Sequence, residues 1–158
     1  MKNISGFSLI ETLVVIAIVG VLMAVAVPSF HELLVERRIA SSTERIADVL
    51  IRTVNEARSR QEKVTVSWAS TMQNTLNVST DDRGIYAEVS GPKSVKVSIV
   101  PDIGNALDFN YKGHPASEEN IVFTVCESVT SNKIVRRTLT LSRIGEVDIQ
   151  TSSGNGSC

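Results

Sequence analysis

Gly6-Phe-Ser-Leu-Ile-Glu-Thr-Leu-Val-Val-Ile-Ala-Ile-Val-Gly-Val-Leu-Met-Ala-Val-Ala-Val-Pro-Ser-Phe30 is the stretch on which the rest of the chain depends. Between Phe7 and Val27 the only ionisable side chain is Glu11. A helix of roughly twenty apolar residues matches a hydrocarbon layer of about 30 Å, so this stem is long enough to span a membrane. A carboxylate within such a segment costs ~2.5–3.5 kcal/mol at mid-bilayer and less toward an interface, which marks Glu11 as a functional residue in need of a partner. Gly20 and Pro28 weaken the stem from within. Proline removes one helical hydrogen bond and presses on the carbonyl of Ala24, and glycine lowers helix propensity, so a bend is expected between them.

Met1-Lys-Asn-Ile-Ser-Gly6 followed by Phe7-Ser-Leu-Ile-Glu-Thr-Leu-Val-Val15 resembles the class III signal of type IV prepilins and type II secretion pseudopilins. The resemblance covers about the first thirty residues, with Gly6, Phe7 and Glu11 in register. It implies that a membrane prepilin peptidase cuts between Gly6 and Phe7 and methylates the new amine of Phe7. It also implies that Glu11 pairs with the terminal amine of a neighbouring subunit. An ammonium and a carboxylate meeting in a low-dielectric bundle form a charge-assisted hydrogen bond that neither could forgo there alone. Lys2 precedes the stem, while Arg37 and Arg38 follow it, so the positive-inside count leaves orientation open. The resemblance places the leader in the cytoplasm and the domain in the periplasm, anchored by one pass through the inner membrane and later carried into a pilus or pseudopilus. Its implied partners are the peptidase, a major pilin and other minor pilins, the inner-membrane assembly platform, and membrane lipid before assembly. A conventional secretory signal cut after Ala24-Val25-Ala26 is the rival reading. Against it stand the length of the apolar run, the presence of Glu11, and the helical pattern that continues beyond.

Composition bounds the remainder. A chain of 158 residues with a net charge of -1 leaves room for one modest domain behind the stem. That balance does not suit a protein built to coat nucleic acid or an anionic surface. Cys126 and Cys158 are the two cysteines, and in an exported domain they form either one disulfide or two free thiols. Members of the resembled family often carry a disulfide near the C-terminus, which favours the pair.

From Ser29 the pattern turns amphipathic. Ile39, Thr43, Ile46, Leu50, Val54 and Ala57 recur at three- and four-residue steps with Ala47 and Ile51 beside them, and Arg38, Ser42, Glu44, Arg45, Asp48, Arg52, Glu56 and Arg60 form the opposite, solvated face. This helix is expected to end near Gln61. Strands are expected at Val64–Ala69, Leu76–Ser79, Ile85–Val89, Val95–Val100, Ile121–Cys126, Ile134–Leu141 and Val147–Gln150, separated by Gly, Pro, Asn and Asp clusters. Thr151 to Gly156 reads as a floppy tail tied down only by Cys158. The organisation is then a leader (1–6), a transmembrane and assembly helix (7–28), an amphipathic helix (29–61) and a β-rich domain (62–158). Strands grouped after a helix, without helical crossovers, give an α+β fold with a long N-terminal helix packed on antiparallel sheet.

No catalytic constellation is legible, and no enzyme, cofactor or metal is expected. His31 and His114 are isolated. Asp81, Asp82 and Asp102 read as turn residues, since calcium takes six or more oxygens and these acids lack the spacing of a calcium loop. Lys133, Arg136, Arg137 and Arg143 form a basic cluster that could serve DNA or a partner, although alternation along the strand sends Arg136 and Arg137 to opposite faces. Ser142-Arg-Ile-Gly-Glu-Val147 resembles the Ser-x-x-Gly-Arg-Val hairpin of the GspH/FimT/FimU branch of minor pilins. Some DNA-binding members carry further arginines there, but this chain has Glu146 and Asp148, which repel phosphate. The resemblance therefore points to a minor pilin that primes or caps type IV pilus assembly. A type II secretion pseudopilin and a DNA-binding minor pilin are the alternatives.

Overall fold

A computed structural model describes residues 8–69, 72–80, 84–92, 94–130 and 133–153. The chain divides into a stem, Met1–Leu34, and a body, Val35–Cys158. A single helix, α1 (Leu9–Arg60), contributes to both, and its helical assignment passes through Gly20 and Pro28 without a break. Its N-terminus is set by Ser8, whose carbonyl accepts the backbone N–H groups of Glu11 and Thr12 at 3.1 and 3.2 Å. Arg58 and Arg60 lie in the last turn, where cations complement the helix dipole. Gln61, in a left-handed conformation (φ 58°), ends the helix at the expected place.

In the body α1 buries Val35, Ile39, Ser42, Thr43, Ile46, Ala47, Val49, Leu50, Thr53, Val54 and Ala57. The stripe read from the sequence is present but too narrow. Ser42, assigned to the solvated face, is buried, whereas Ile51 is 45% exposed. Two adjacent rows face inward, 35-39-42-46-49-53 and 39-43-46-50-54-57, because α1 meets two sheets rather than one. Buried hydroxyls on this face need partners. Thr43 and Thr53 donate to the carbonyls of Ile39 and Val49, four residues back, at 2.8 and 2.7 Å.

The strands are β1 (Val64–Ala69), β2 (Met72–Thr80), β3 (Gly84–Ser90), β4 (Lys96–Val100), β5 (Ala106–Phe109), β6 (Ile121–Thr130), β7 (Lys133–Leu141) and β8 (Val147–Ser153). They form two four-stranded antiparallel sheets, β3-β2-β1-β5 and β4-β6-β7-β8. Period-two alternation puts Val64, Val66 and Trp68 of β1 opposite Thr80, Val78 and Leu76 of β2, all buried. In the second sheet Ile121, Phe123 and Val125 of β6 pair with Leu141, Leu139 and Arg137 of β7. One apolar core joins both sheets to α1.

Each expected strand is found. β5 is additional: only four residues long, it pairs with β1 and contributes two fully inward side chains, Leu107 and Phe109. The expectation of a floppy tail is corrected for Thr151–Ser153, which continue β8 and pair with Arg137, Arg136 and Val135. Extended pairing of Ser and Thr against β7 satisfies their backbone groups and overrides the local composition. β8 ends its sheet, with Asp148, Ile149 and Gln150 exposed.

Candidate assembly interface

Within the stem α1 offers almost nothing but apolar surface. Leu9, Ile10, Leu13, Ile16, Val21, Leu22, Met23 and Val27 are each at least 58% exposed, and this is the one described helix long and apolar enough to cross a membrane. Surface of that kind on a water-soluble molecule would be an association site or a lipid-facing one. Glu11 lies in the first helical turn and is exposed, and it makes no ion pair among the described residues. Its carboxylate follows Ser8 at the spacing of a capping box and sits at the positive end of the helix dipole, an arrangement worth ~0.3–1 kcal/mol. Ala17, Gly20 and Ala24 lie within two turns, and a Cβ added at Gly20 would meet nothing within 4 Å. Small residues at such spacing let helices in a membrane approach closely. Gly6 and Phe7 lie outside the described residues, as does the side chain of Pro28.

The body holds its end of α1 by arginines. Arg38 pairs with Glu127 of β6 at 3.2 Å, with side chains 40% and 7% exposed. Arg45 donates to the carbonyl of Ser90, the last residue of β3, at 3.3 Å. Arg58 donates from Nε to the carbonyl of Lys112 (2.9 Å) and from Nη2 to that of Ile144 (3.0 Å). On the outer face of α1, Arg52 pairs with Asp48 and Arg60 with Glu56 along the helix.

Glu127 lies one residue beyond Cys126, the expected end of its strand, whereas β6 runs on to Thr130. The alternation Ile121, Phe123, Val125 extends to position 127 and would have placed its carboxylate inward; Arg38, assigned to solvent, is its counterpart. The pair is incompletely bonded, since Arg38 Nε, Glu127 Oε2 and Ser42 Oγ lack partners. Arg38→Ala is expected to destabilise the body by ~1–3 kcal/mol by leaving a buried carboxylate uncompensated, with the exposed flank of Arg38 holding the loss below that of a fully buried pair. The double change Arg38→Met, Glu127→Leu should restore most of it. Urea midpoints of the detergent-solubilised chain, at unchanged slope, measure both.

The basic cluster is not gathered on one face. Arg137 shares the inward face of β7 with Leu139 and is half-buried, while Arg136 lies on the other face beside Cys126 and Ser152. Arg143 stands exposed in the β7–β8 turn, and the side chain of Lys133 lies outside the described ones. Cys126 is buried and carries no free thiol; Cys158 is outside the described residues. Asp102 accepts from the N–H of Gly104 at 3.0 Å, the turn role expected of it, and Asp81 and Asp82 are outside the described residues. His31 is exposed, and His114 sits in a loop closed by Asn110. Among the described residues no group of three or more His, Cys, Asp or Glu converges.

Residues 1–27 match the prokaryotic N-terminal methylation motif. The type IV minor pilin FimU of Pseudomonas aeruginosa superposes with a TM-score of 0.61 at 17% identity, over 76% of this chain and 93% of that one. The body is built like a minor pilin. A second FimU crystal form gives a TM-score of 0.58 at 17% identity, over 74% and 96% of the two chains. The minor pseudopilin EpsH from the type II secretion system of Vibrio cholerae gives 0.55 at 11% identity, over 78% and 99%. The chain thus joins a methylation motif to a pilin-type helix-on-sheet fold.

Proposed function

We propose that this chain is a minor pilin that primes or caps a type IV pilus. The supporting observation is the methylation motif of residues 1–27 on a stem whose apolar side chains stand exposed. The peptidase removes Met1–Gly6 and methylates Phe7. Glu11 then pairs with the amine of a neighbouring Phe7, and stems pack laterally through Ala17, Gly20, Ala24 and Ala26. Before assembly the stem sits in the inner membrane with the body in the periplasm. In that compartment Cys126 joins Cys158, closing a loop of roughly thirty residues worth ~3–4 kcal/mol in the chain-entropy model. Major and minor pilins and the assembly platform are the partners. DNA is not favoured, given the split arginines and the acids at 146 and 148.

The intact mass of the chain from its native membrane tests this reading. The expected product begins at Phe7, carries one added methyl group, and shows no alkylated cysteine until it is reduced. A product lacking Met1–Ala26 ends the proposal. The second reading, a type II secretion pseudopilin, is favoured by the EpsH superposition. Deleting the gene separates the two: loss of surface pili supports the first, and loss of protein secretion with intact pili supports the second.

A further inference from the structure

Two surface loops meet at the far end of α1. The first, residues 110–114, is closed by Asn110, whose Oδ1 accepts the N–H groups of Lys112 (2.9 Å) and His114 (3.1 Å) and whose carbonyl accepts that of Gly113 (2.7 Å). The second, residues 142–146, is closed by Ser142, whose carbonyl accepts the N–H of Gly145 (2.9 Å) and whose Oγ accepts that of Glu146 (2.9 Å). Arg58 ties the two together through the carbonyls of Lys112 and Ile144. They touch so closely that a Cβ on Gly145 would lie 2.3 Å from the carbonyl oxygen of Gly113.

From these fixed loops project Tyr111 and Ile144, 57% and 56% exposed. Lys112 Nζ stands 5.6 Å from the centre of the Tyr111 ring. Isolated exposed apolar residues need no explanation, but here an aromatic and a branched aliphatic side chain sit on backbone already bonded into one conformation, so binding there has little ordering entropy to lose. Arg58, Lys112 and Arg143 make no ion pair among the described residues, and the two loops contain one acid, Glu146. Aromatic and arginine anchors are the side chains that dominate protein interfaces.

We infer that the paired loops 110–114 and 142–146 form a docking surface for a second subunit of the same filament, one that presents an apolar side chain beside a carboxylate. The inference rests on the filament reading above. The apolar group would pack against Tyr111 and Ile144, and the carboxylate would answer Lys112 and Arg143.

The test places p-benzoylphenylalanine at Tyr111 of the full chain in its native host, with Gln150 as the control position, and irradiates membrane and sheared-filament fractions. The expected result is one crosslink from position 111 to a pilin-like subunit, at a residue next to Asp or Glu. Lys112→Glu with Arg143→Glu should lower its yield about tenfold or more through like-charge repulsion. Leader removal and circular dichroism of the solubilised chain verify that the charge-reversed protein is folded, and Ile144→Ser supplies a neutral variant expected to weaken the same crosslink. Absence of a subunit crosslink at 111, or a yield indifferent to charge reversal, overturns the inference. A wild-type chain that never enters filaments defeats the filament reading separately, and a crosslink at 111 to a non-filament protein overturns the partner named here.

Discussion

Gly145→Ala should destabilise the body by ~2–5 kcal/mol. Gly145 has φ 82°, in the left-handed region where a side chain costs ~1–2 kcal/mol. Its added Cβ would also lie 2.3 Å from the carbonyl oxygen of Gly113 and 3.3 Å from both γ-carbons of Val54. The first contact is with backbone, which cannot swing aside, and overpacking of this sort adds ~1–3 kcal/mol. Relief would require the two loops to separate, which would draw the carbonyls of Lys112 and Ile144 away from Arg58. Urea denaturation of the solubilised chain, compared with Gly104→Ala, reads the effect. Gly104 is also left-handed, at φ 71°, but a Cβ there meets nothing within 4 Å. The comparison isolates the close approach, and equal losses at the two positions would show that backbone conformation alone is responsible.

Glu11→Leu should leave leader removal intact and reduce the chain in sheared filaments by at least about tenfold, the factor that corresponds to ~1.4 kcal/mol of lost association. The proposed pairing is a charge-assisted bond in a low-dielectric bundle, and deleting one member would strand the other charge there. Within a single chain the same change forfeits only the dipole interaction of Glu11 at the start of α1, ~0.3–1 kcal/mol. It also makes the stem more apolar. A failure to assemble therefore could not be ascribed to a damaged subunit. Immunoblots of membrane and sheared fractions measure both quantities, and wild-type amounts of the variant in filaments would remove the role assigned to Glu11.

The stem and the alternation of strands were legible because each follows one strong physical rule: an uninterrupted apolar run, or apolar residues at every second position. β1 was read with its observed ends, and α1 within one residue of its C-terminus. What escaped depends on tertiary neighbours. Ala106–Phe109 is too short to show a period and becomes a strand because β1 has a free edge beside it. Ser42 looked solvated because one stripe was assumed where two sheets demand a broader face. Arg38 falls on the face expected to be solvated and Glu127 just past the expected end of its strand at Cys126, yet the two pair, with Glu127 buried. The Ser142 and Gly145 positions of the hairpin were visible as a resemblance, while their cause, a hydroxyl-closed turn pressed against another loop, is visible only in space.

Among the described residues β8 is the last strand of its sheet, so one row of its peptide groups has no neighbouring strand there to bond. A bare, flat, greasy border of that kind would template the sticking of one molecule to the next. Here the border bears the carboxylate of Asp148, held to Gln150 at 3.2 Å, and a stranger laid alongside would have to strip water from that anion. The acid that discourages contact with phosphate thus also acts as a gatekeeper against uncontrolled clumping along this border.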